Sequence, residues 1–126
     1  MNNAAAAQQA KSKPRRLVEY IRELQRTADL EPSIAWTGHG EPIHDVVALI
    51  QRRLHFYTRR AQRIIETLKA STQTAYEITK PLFGKLNPID SFLALSKIIG
   101  HLEWLEDQGR VEVLRRDGVA HWHAID

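Results

Sequence analysis

The longest regular pattern in the sequence is a row of apolar residues between Val46 and Ala70, and it limits the possible fold more than any other feature. The spacing alternates between three and four residues, which predicts one amphipathic helix of about seven turns with Asp45 as its N-cap. The members of this narrow apolar seam are Val47, Ile50, Leu54, Tyr57, Ala61, Ile64 and Leu68. The other faces of the helix hold five arginines, which are Arg52, Arg53, Arg59, Arg60 and Arg63.

Two shorter helices are predicted after this segment. Thr74 and Glu77 have the spacing of a capping box, and Pro81 keeps the helix that they open short. A third helix follows Asn87-Pro88, and Gly109 is placed to end it as a left-handed C-cap. The apolar residues that mark this third helix are Phe92, Leu95, Ile98, Ile99, Leu102 and Leu105.

A change of period after Gly109 predicts a β-hairpin. Asp117-Gly118 lies between runs that contain Val111, Val113 and Val119, and Asp-Gly between β-branched runs is a strong hairpin signal. The sequence is therefore predicted to be mostly α with a small β-hairpin, an α+β fold. Helix, short helix, helix and hairpin in that order indicate a winged-helix-like domain over residues 46–126.

The first 45 residues differ from the rest in pattern. Residues 1–13 are of low complexity and are expected to form a disordered or frayed leader. After Pro14, apolar spacing predicts an amphipathic helix. Residues 34–36 predict a strand with nothing to pair with, and it leads into Thr37-Gly38-His39-Gly40. An exposed apolar surface is expected around Leu17, Ile21, Ile34 and Trp36, because their sheet partners are missing.

Composition narrows the function further. The 126 residues fit one small domain or a domain with an appendage, and no cysteine is present, which excludes disulfides, cysteinyl zinc sites, iron–sulfur clusters and thiol nucleophiles. A cysteine-free chain suits a reducing, cytoplasmic setting. No stretch approaches 18 apolar residues, so we expect no membrane association.

His39 is the first candidate functional residue, because it lies between Gly38 and Gly40 at the end of a predicted strand. Such a loop brings an imidazole to a metal without crowding from neighbouring side chains. A zinc ion needs three or four donors and Gly-His-Gly supplies one, so this motif taken alone is a weak signal for a metal site and favours an ordinary turn.

A wider set of residues resembles a known family. Thr37-Gly38-His39-Gly40-Glu41-Pro42-Ile43, with Asp45, Leu49-Ile50, Arg53-Leu54 and Arg60-Ala61, is similar to the C-terminal stretch of metallo-β-lactamase-fold hydrolases. Farther along, Thr74 to Ile78, Leu95-Ser96, Gly100-His101-Leu102, Leu105 and Gly109 with Val111 look like the winged-helix appendage of one branch of that superfamily. The similarity extends from about Leu17 to Ala124.

The resemblance implies a role for His39 as the last metal ligand, with Gly38 and Gly40 supporting its loop. It implies that residues 14–45 end the αββα hydrolase domain and that residues 46–126 form the accessory domain, which would line the substrate entrance or mediate homodimer contacts. In the complete protein, one or two zinc ions would activate water for attack on an ester, thioester, lactam or phosphodiester.

The family's main metal signature, His-x-His-x-Asp-His, does not occur in this sequence. The resemblance therefore implies a missing N-terminal hydrolase domain as partner, and the chain is expected to be inactive alone, with no catalytic residue assigned. A second metal hypothesis uses His121 and His123 on one strand face, with Asp126 as a further donor. His44 and His55 are interpreted as surface residues, and His101 as a packing or hydrogen-bonding residue.

Nucleic-acid binding is the alternative function. Residues 1–69 hold twelve Lys or Arg against seven Asp or Glu, whereas residues 87–126 hold four against seven. An acidic third helix and wing would repel the phosphates of duplex DNA. The five arginines of the long helix, with Phe56 and Tyr57 among them, could instead contact single-stranded RNA or a protein partner, as in a stand-alone winged-helix module. Trp36, Trp104 and Trp122 are expected to anchor a core or an interface.

Overall fold

A computed structural model of the chain describes residues 15–31, 34–36 and 42–125. These residues form four helices, a pair of short strands and a three-stranded sheet, so the predicted α+β class is confirmed. The helices are α1 (Arg16–Asp29), α2 (Val46–Ala70), α3 (Ala75–Phe83) and α4 (Pro88–Asp107). The strands are β1 (Ile34–Trp36), β2 (Pro42–His44), β3 (Gln73–Thr74), β4 (Val111–Arg116) and β5 (Val119–Ala124).

The larger sheet contains one strand more than the sequence predicted. Its order is β3-β5-β4 and both pairings are antiparallel, with Thr74 opposite His121 and Val113 opposite Trp122. The hairpin turns at Asp117-Gly118, whose φ angles of 53° and 77° are those of the left-handed turn that matches strand twist. The two-residue strand β3 escaped prediction because it is too short to show any alternation.

The predicted helix ends are mostly confirmed, and each has a local cause. The hydroxyl of Thr74 accepts from the backbone N–H of Glu77 at 3.1 Å, while the Glu77 carboxylate accepts from the N–H of Thr74 at 2.9 Å. Asn87 caps α4 by accepting from the N–H of Asp90 at 2.8 Å. Gly109 follows α4 with a φ of 73°, and its N–H donates to the carbonyl of Glu106 at 2.9 Å, as expected for a left-handed helix end.

The start of α2 differs from the prediction. Asp45 is the N-cap residue, but it has a φ of 59° and its side chain makes no capping hydrogen bond. The start position of the helix was readable from the apolar pattern, whereas the cap interaction depends on how the chain enters from β2. A β-region backbone is what lets a side chain reach back to the first amide groups, and Asp45 does not have it.

The main core lies between α2, α3, α4 and the three-stranded sheet. Ile64, Ile78, Ile98 and Leu102 are completely buried in it, and Trp122 of β5 packs against them. Trp104 lies at the edge of the same cluster. The expected anchoring role of Trp104 and Trp122 is confirmed, while the side chain of Trp36 lies outside what the structure describes.

Helix α1 packs on α2 and α4, which contradicts part of the predicted exposed surface. Ile21 and Val18 are buried, with 2% and 4% of their surface exposed, and Leu17 is half-buried. The approach to α4 is close, because a Cβ added at Gly100 would lie 3.3 Å from the Cβ of Leu17. The prediction was wrong because it assigned the partners of α1 to a sheet, whereas helices of this chain supply them. The side chains of Ile34 and Trp36 lie outside the described residues.

Ion pairs join α1 to α4. The guanidinium of Arg15 pairs with Glu106 and also donates to the carbonyl of Glu103 at 3.1 Å. Arg22 pairs with Asp107 at 3.3 Å. Acidic residues at a helix C-terminus are unfavourable beside its negative dipole end, so the arginines at α1 relieve that repulsion in α4.

The second correction concerns β1, which was predicted to have no partner. It pairs with β2 in antiparallel register, with Ile34 opposite His44 and Trp36 opposite Pro42. Strand β2 was not predicted because it is only three residues long and begins with a proline, which suits an edge strand. Among the described helices, none is both long enough and apolar enough to cross a membrane.

The docking of α1 gives a stability prediction. We expect Ile21→Ala to lower the free energy of unfolding by about 2–5 kcal/mol, since it removes a fully buried aliphatic side chain. Urea denaturation of the purified chain measures this. The matched control is Leu30→Ala, because Leu30 is 77% exposed and its loss should be almost neutral. Equal, small effects of both variants would contradict the packing of α1 on the other helices.

Candidate functional site: a basic aromatic groove

The two strands on either side of the predicted metal loop pair with each other. Trp36 at the end of β1 is opposite Pro42 at the start of β2, so residues 37–41 connect adjacent strand ends. Gly38, His39 and Gly40 themselves lie outside the described residues. The assignment of His39 as a metal ligand therefore stays a prediction.

The second metal hypothesis, at the β4–β5 hairpin, finds no support in the contacts. His123 Nε2 lies 3.1 Å from Glu112 on the neighbouring strand, and His121 Nδ1 lies 3.1 Å from the carbonyl of Val119. Asp126 lies outside the described residues. Within the part of the chain that the structure describes, no group of three or more histidines and carboxylates is arranged to hold a metal ion.

His101 on α4 is a buried residue with one satisfied nitrogen, which confirms its predicted packing role. Its Nδ1 lies 2.8 Å from the carbonyl of Lys97 and so acts as the donor. Its ring meets the ring of Tyr57 edge-on at 5.8 Å between centroids. Nε2 is buried and has no hydrogen-bond partner among the described residues. Burial lowers the pKa of His101 most strongly, and nearby Arg60 lowers it further, while the bond to Lys97 acts in the opposite direction.

The five arginines of α2 do not form one surface. Arg52 and Arg59 are exposed, and Arg63 reaches the carbonyl of Leu82 at 3.5 Å. Arg60 turns toward the aromatic residues, with its guanidinium carbon 4.6 Å from the centre of the Phe56 ring and 5.3 Å from that of Phe83. Of this set, only Arg53 and Arg60 border a groove that lies beside these rings.

That groove has a volume of about 830 Å³ and lies between α1, α2 and α4. We call it the basic aromatic groove. Its walls combine four cations with three aromatic rings: Arg16, Arg53, Arg60, Lys97, Tyr20, Phe56 and Tyr57. His101 and Glu103 also line it. Burial lowers the pKa of Arg60, and the neighbouring charge of Arg63 lowers it further.

Sequence reasoning singled out Arg53, Arg60, Phe56 and Tyr57 but missed their companions. Tyr20 comes from α1 and Lys97 from α4, and no local pattern links these positions to α2. The ring of Tyr20 lies 6.3 Å from that of Tyr57, in an edge-on arrangement that only the tertiary packing creates. From the sequence alone, the groove could be predicted only in part, from the arginines and aromatic residues that lie close together on α2.

Known proteins with similar sequences and structures indicate which kind of protein this chain resembles. The chain is 38% identical over 103 residues to the Bacillus subtilis (strain 168) protein described as "Probable metallo-hydrolase YqjP". It shares 26% identity and a TM-score of 0.62 with a metallo-β-lactamase family protein of Thermus thermophilus. The chain is thus similar to a protein described as a metallo-hydrolase and to a metallo-β-lactamase family protein. The resemblance seen in the sequence motifs is thereby confirmed.

These relatives are longer than the matched region. The match covers 82% of this chain but 32% of YqjP, and 84% of this chain but 32% of the Thermus protein. A β-lactamase domain protein from Burkholderia ambifaria gives a TM-score of 0.71 at 21% identity, over 84% of this chain and 32% of that protein, and so shows the fold alone. No family model matches the sequence. The chain therefore spans about a third of the length of these relatives.

The buried imidazole gives a pH prediction. The folded state resists protonation of His101, whereas the unfolded state accepts a proton near the ordinary imidazole pKa of about 6.5. Stability should therefore be fully present above that pH and fall as the pH drops through it. We expect the urea midpoint to decrease from about pH 8 to about pH 5, and His101→Gln to reduce this decrease. His55→Gln, which removes an exposed imidazole, is the control and should leave the decrease unchanged.

Proposed function

We propose that this chain forms the C-terminal third of a metal-dependent hydrolase of the metallo-β-lactamase family. In this proposal, residues 14–45 end the hydrolase domain and residues 46–126 are a winged-helix accessory domain. The identity with a named metallo-hydrolase over most of this chain, but a third of that protein, is the observation on which the proposal rests. The complete protein would hydrolyse an ester, thioester, lactam or phosphodiester with the help of one or two zinc ions.

The winged-helix assignment is supported by the order of the elements. From α2 onward the chain runs helix, strand, helix, helix, strand, strand, and the first of these strands pairs with the last. In a winged helix, the second helix of the helix-turn-helix is the one that enters a DNA groove. In this proposal, helix α4 takes that position.

The exposed face of α4 favours a protein partner over nucleic acid. Its N-terminal half presents Ile89, Phe92 and Leu93, which are 73%, 67% and 51% exposed. Large contiguous apolar surfaces mark contacts with other proteins, whereas nucleic-acid surfaces are basic. We assign this face to contact with the hydrolase domain, which in this proposal makes up the part of the relatives' length outside the match.

Of the family's metal ligands, the proposal assigns only His39 to this chain. The residues that the structure describes contain no complete ligand set, so the other donors would have to come from the hydrolase domain. We therefore derive no catalytic step from the described residues. The role of the chain would be to complete the metal site and to support the domain that contains the rest of it.

A chimaeric protein tests the metal assignment. This chain replaces the matched third of YqjP, and bound metal and ester hydrolysis are measured with and without His39→Ala. Removal of a residue that only hydrogen-bonds to a metal ligand typically reduces metal affinity or activity by about tenfold or more. Loss of the imidazole ligand itself should therefore reduce both by at least about tenfold. His44→Ala is the matched control, close in sequence to the same loop. Full metal content and activity in the His39 variant would refute the assignment.

The α4 contact can be tested in the same chimaera. Phe92→Asp should change the stability of the isolated chain by less than about 0.5 kcal/mol, because Phe92 is largely exposed there. In the chimaera it should cost about 1 kcal/mol or more, since a charge would be buried against the hydrolase domain. Leu114→Asp, at an exposed leucine on β4, serves as the control. If the Phe92 variant is neutral in both proteins, the contact lies elsewhere.

The source DNA offers an independent check. An in-frame coding region upstream of Met1 that contains His-x-His-x-Asp-His would support the proposal. A stop codon close upstream, with no such region nearby, would favour a separate winged-helix module. Neither RNA binding nor a homodimer is named in the relatives' descriptions, and both stay hypotheses.

A further inference from the structure

The basic aromatic groove has features that the proposed hydrolase role does not explain. Arg60 is partly buried, yet no carboxylate lies within ion-pair distance of it among the described residues. Its guanidinium rests on the rings of Phe56 and Phe83. A charge removed from water is costly unless an opposite charge or strong hydrogen bonds compensate it, and ring contacts do so only in part.

The other cations of the groove increase this imbalance. Arg53 and Lys97 are exposed and, within the described part of the chain, neither is in an ion pair. Glu103 is the carboxylate on the described walls, against four cations. Lys97 lies on α4 and Arg53 on α2, so positive charge faces the groove from both of these helices. Such a groove attracts an anion and concentrates it between low-dielectric walls.

The remaining walls of the groove are aromatic and suit the apolar or flat part of a ligand. Tyr20, Tyr57 and His101 are in successive edge-on contact, and Phe56 adjoins Tyr57 with 5.9 Å between ring centres. His101 is only 2% exposed and keeps Nε2 without a hydrogen-bond partner in the described residues, so a polar group remains unused beside this wall. Ligand pockets combine largely apolar walls with a few such polar groups.

We propose that the basic aromatic groove binds a small organic anion, a phosphate or carboxylate joined to an aromatic or apolar body. Arg60 is the main anion contact, because its side chain is already positioned by Phe56 and Phe83. Arg53 and Lys97 add charge from either side, and the rings of Tyr20 and Phe56 contact the body of the ligand. The site needs α1, α2 and α4 together but does not need a metal or the hydrolase domain.

The test uses the 126-residue chain and phenyl phosphate as the probe. Titration calorimetry should show saturable binding, and the NMR ring resonances of His101 and Tyr57 should shift in proportion to occupancy. Inorganic phosphate and phenol, which each offer half of the ligand, should bind more weakly than the probe. Titration with benzoate then tests the type of anion. If phenyl phosphate binds more tightly than benzoate, the site prefers phosphate; if benzoate binds more tightly, it prefers carboxylate.

Two neighbouring arginines separate a specific site from general attraction by a basic helix. Arg60→Gln should weaken phenyl phosphate binding about tenfold or more, as expected when a charged hydrogen bond is lost. Arg59→Gln removes the same charge from an exposed position outside the groove and should leave the affinity unchanged. Arg53→Gln, at an exposed position on the groove, should weaken binding without affecting folding, and thermal unfolding of each variant verifies that it folds.

Several results would overturn the proposal. One is the absence of saturable binding of both phenyl phosphate and benzoate. Another is equal weakening by Arg59→Gln and Arg60→Gln, which would show non-specific attraction. A third is equal affinity for inorganic phosphate and phenyl phosphate, which would remove the role of the rings. Because none of these measurements involves a metal or hydrolysis, they are independent of the experiments that test the hydrolase proposal.

Discussion

The packing of α4 on two sides determines most of this structure. The helix is apolar around much of its circumference, with Ile98, Leu102 and Leu105 facing the main core and His101 and Ala94 also buried. A helix of that kind cannot be covered by one neighbour. α2, α3 and β4 contact it on the core side, and α1 packs along it as well, with Leu17 close to Gly100. The glycine permits that close approach, since a side chain there would press on Leu17.

The packing of α1 on α4 also brings oppositely charged residues together. The sequence has a basic first half and an acidic last third, and this asymmetry invites an interpretation in terms of an external polyanion. In the fold, part of it is internal, because Arg15 and Arg22 pair with Glu106 and Asp107 at the end of α4. Exposed pairs of this kind add little stability each, so apolar burial of Val18 and Ile21 provides more of the docking energy. The pairs instead favour one orientation of α1.

The docking of α1 on α2 and α4 forms the basic aromatic groove. Tyr20 and Arg16 reach the groove from α1, while Arg53 and Arg60 come from α2 and Lys97 from α4. The same packing buries His101 and holds it against Tyr57, and this burial depresses its pKa. The relatives that the chain matches are about three times as long as the matched region, and the proposed hydrolase domain would cover the apolar part of α4 that is exposed here.

The sequence by itself was enough to predict the helices, most of their ends, the hairpin turn and the resemblance to metallo-β-lactamase-family proteins. Capping boxes, left-handed glycines and apolar spacing act within a few residues, so Thr74, Gly109 and Asp117-Gly118 could be interpreted without a structure. It did not determine the pairing of β1 with β2, the third strand of the sheet, the burial of Ile21 or the walls of the groove. Those depend on contacts between residues far apart in the chain, and only tertiary packing decides which apolar face meets which partner and which charges are left without one.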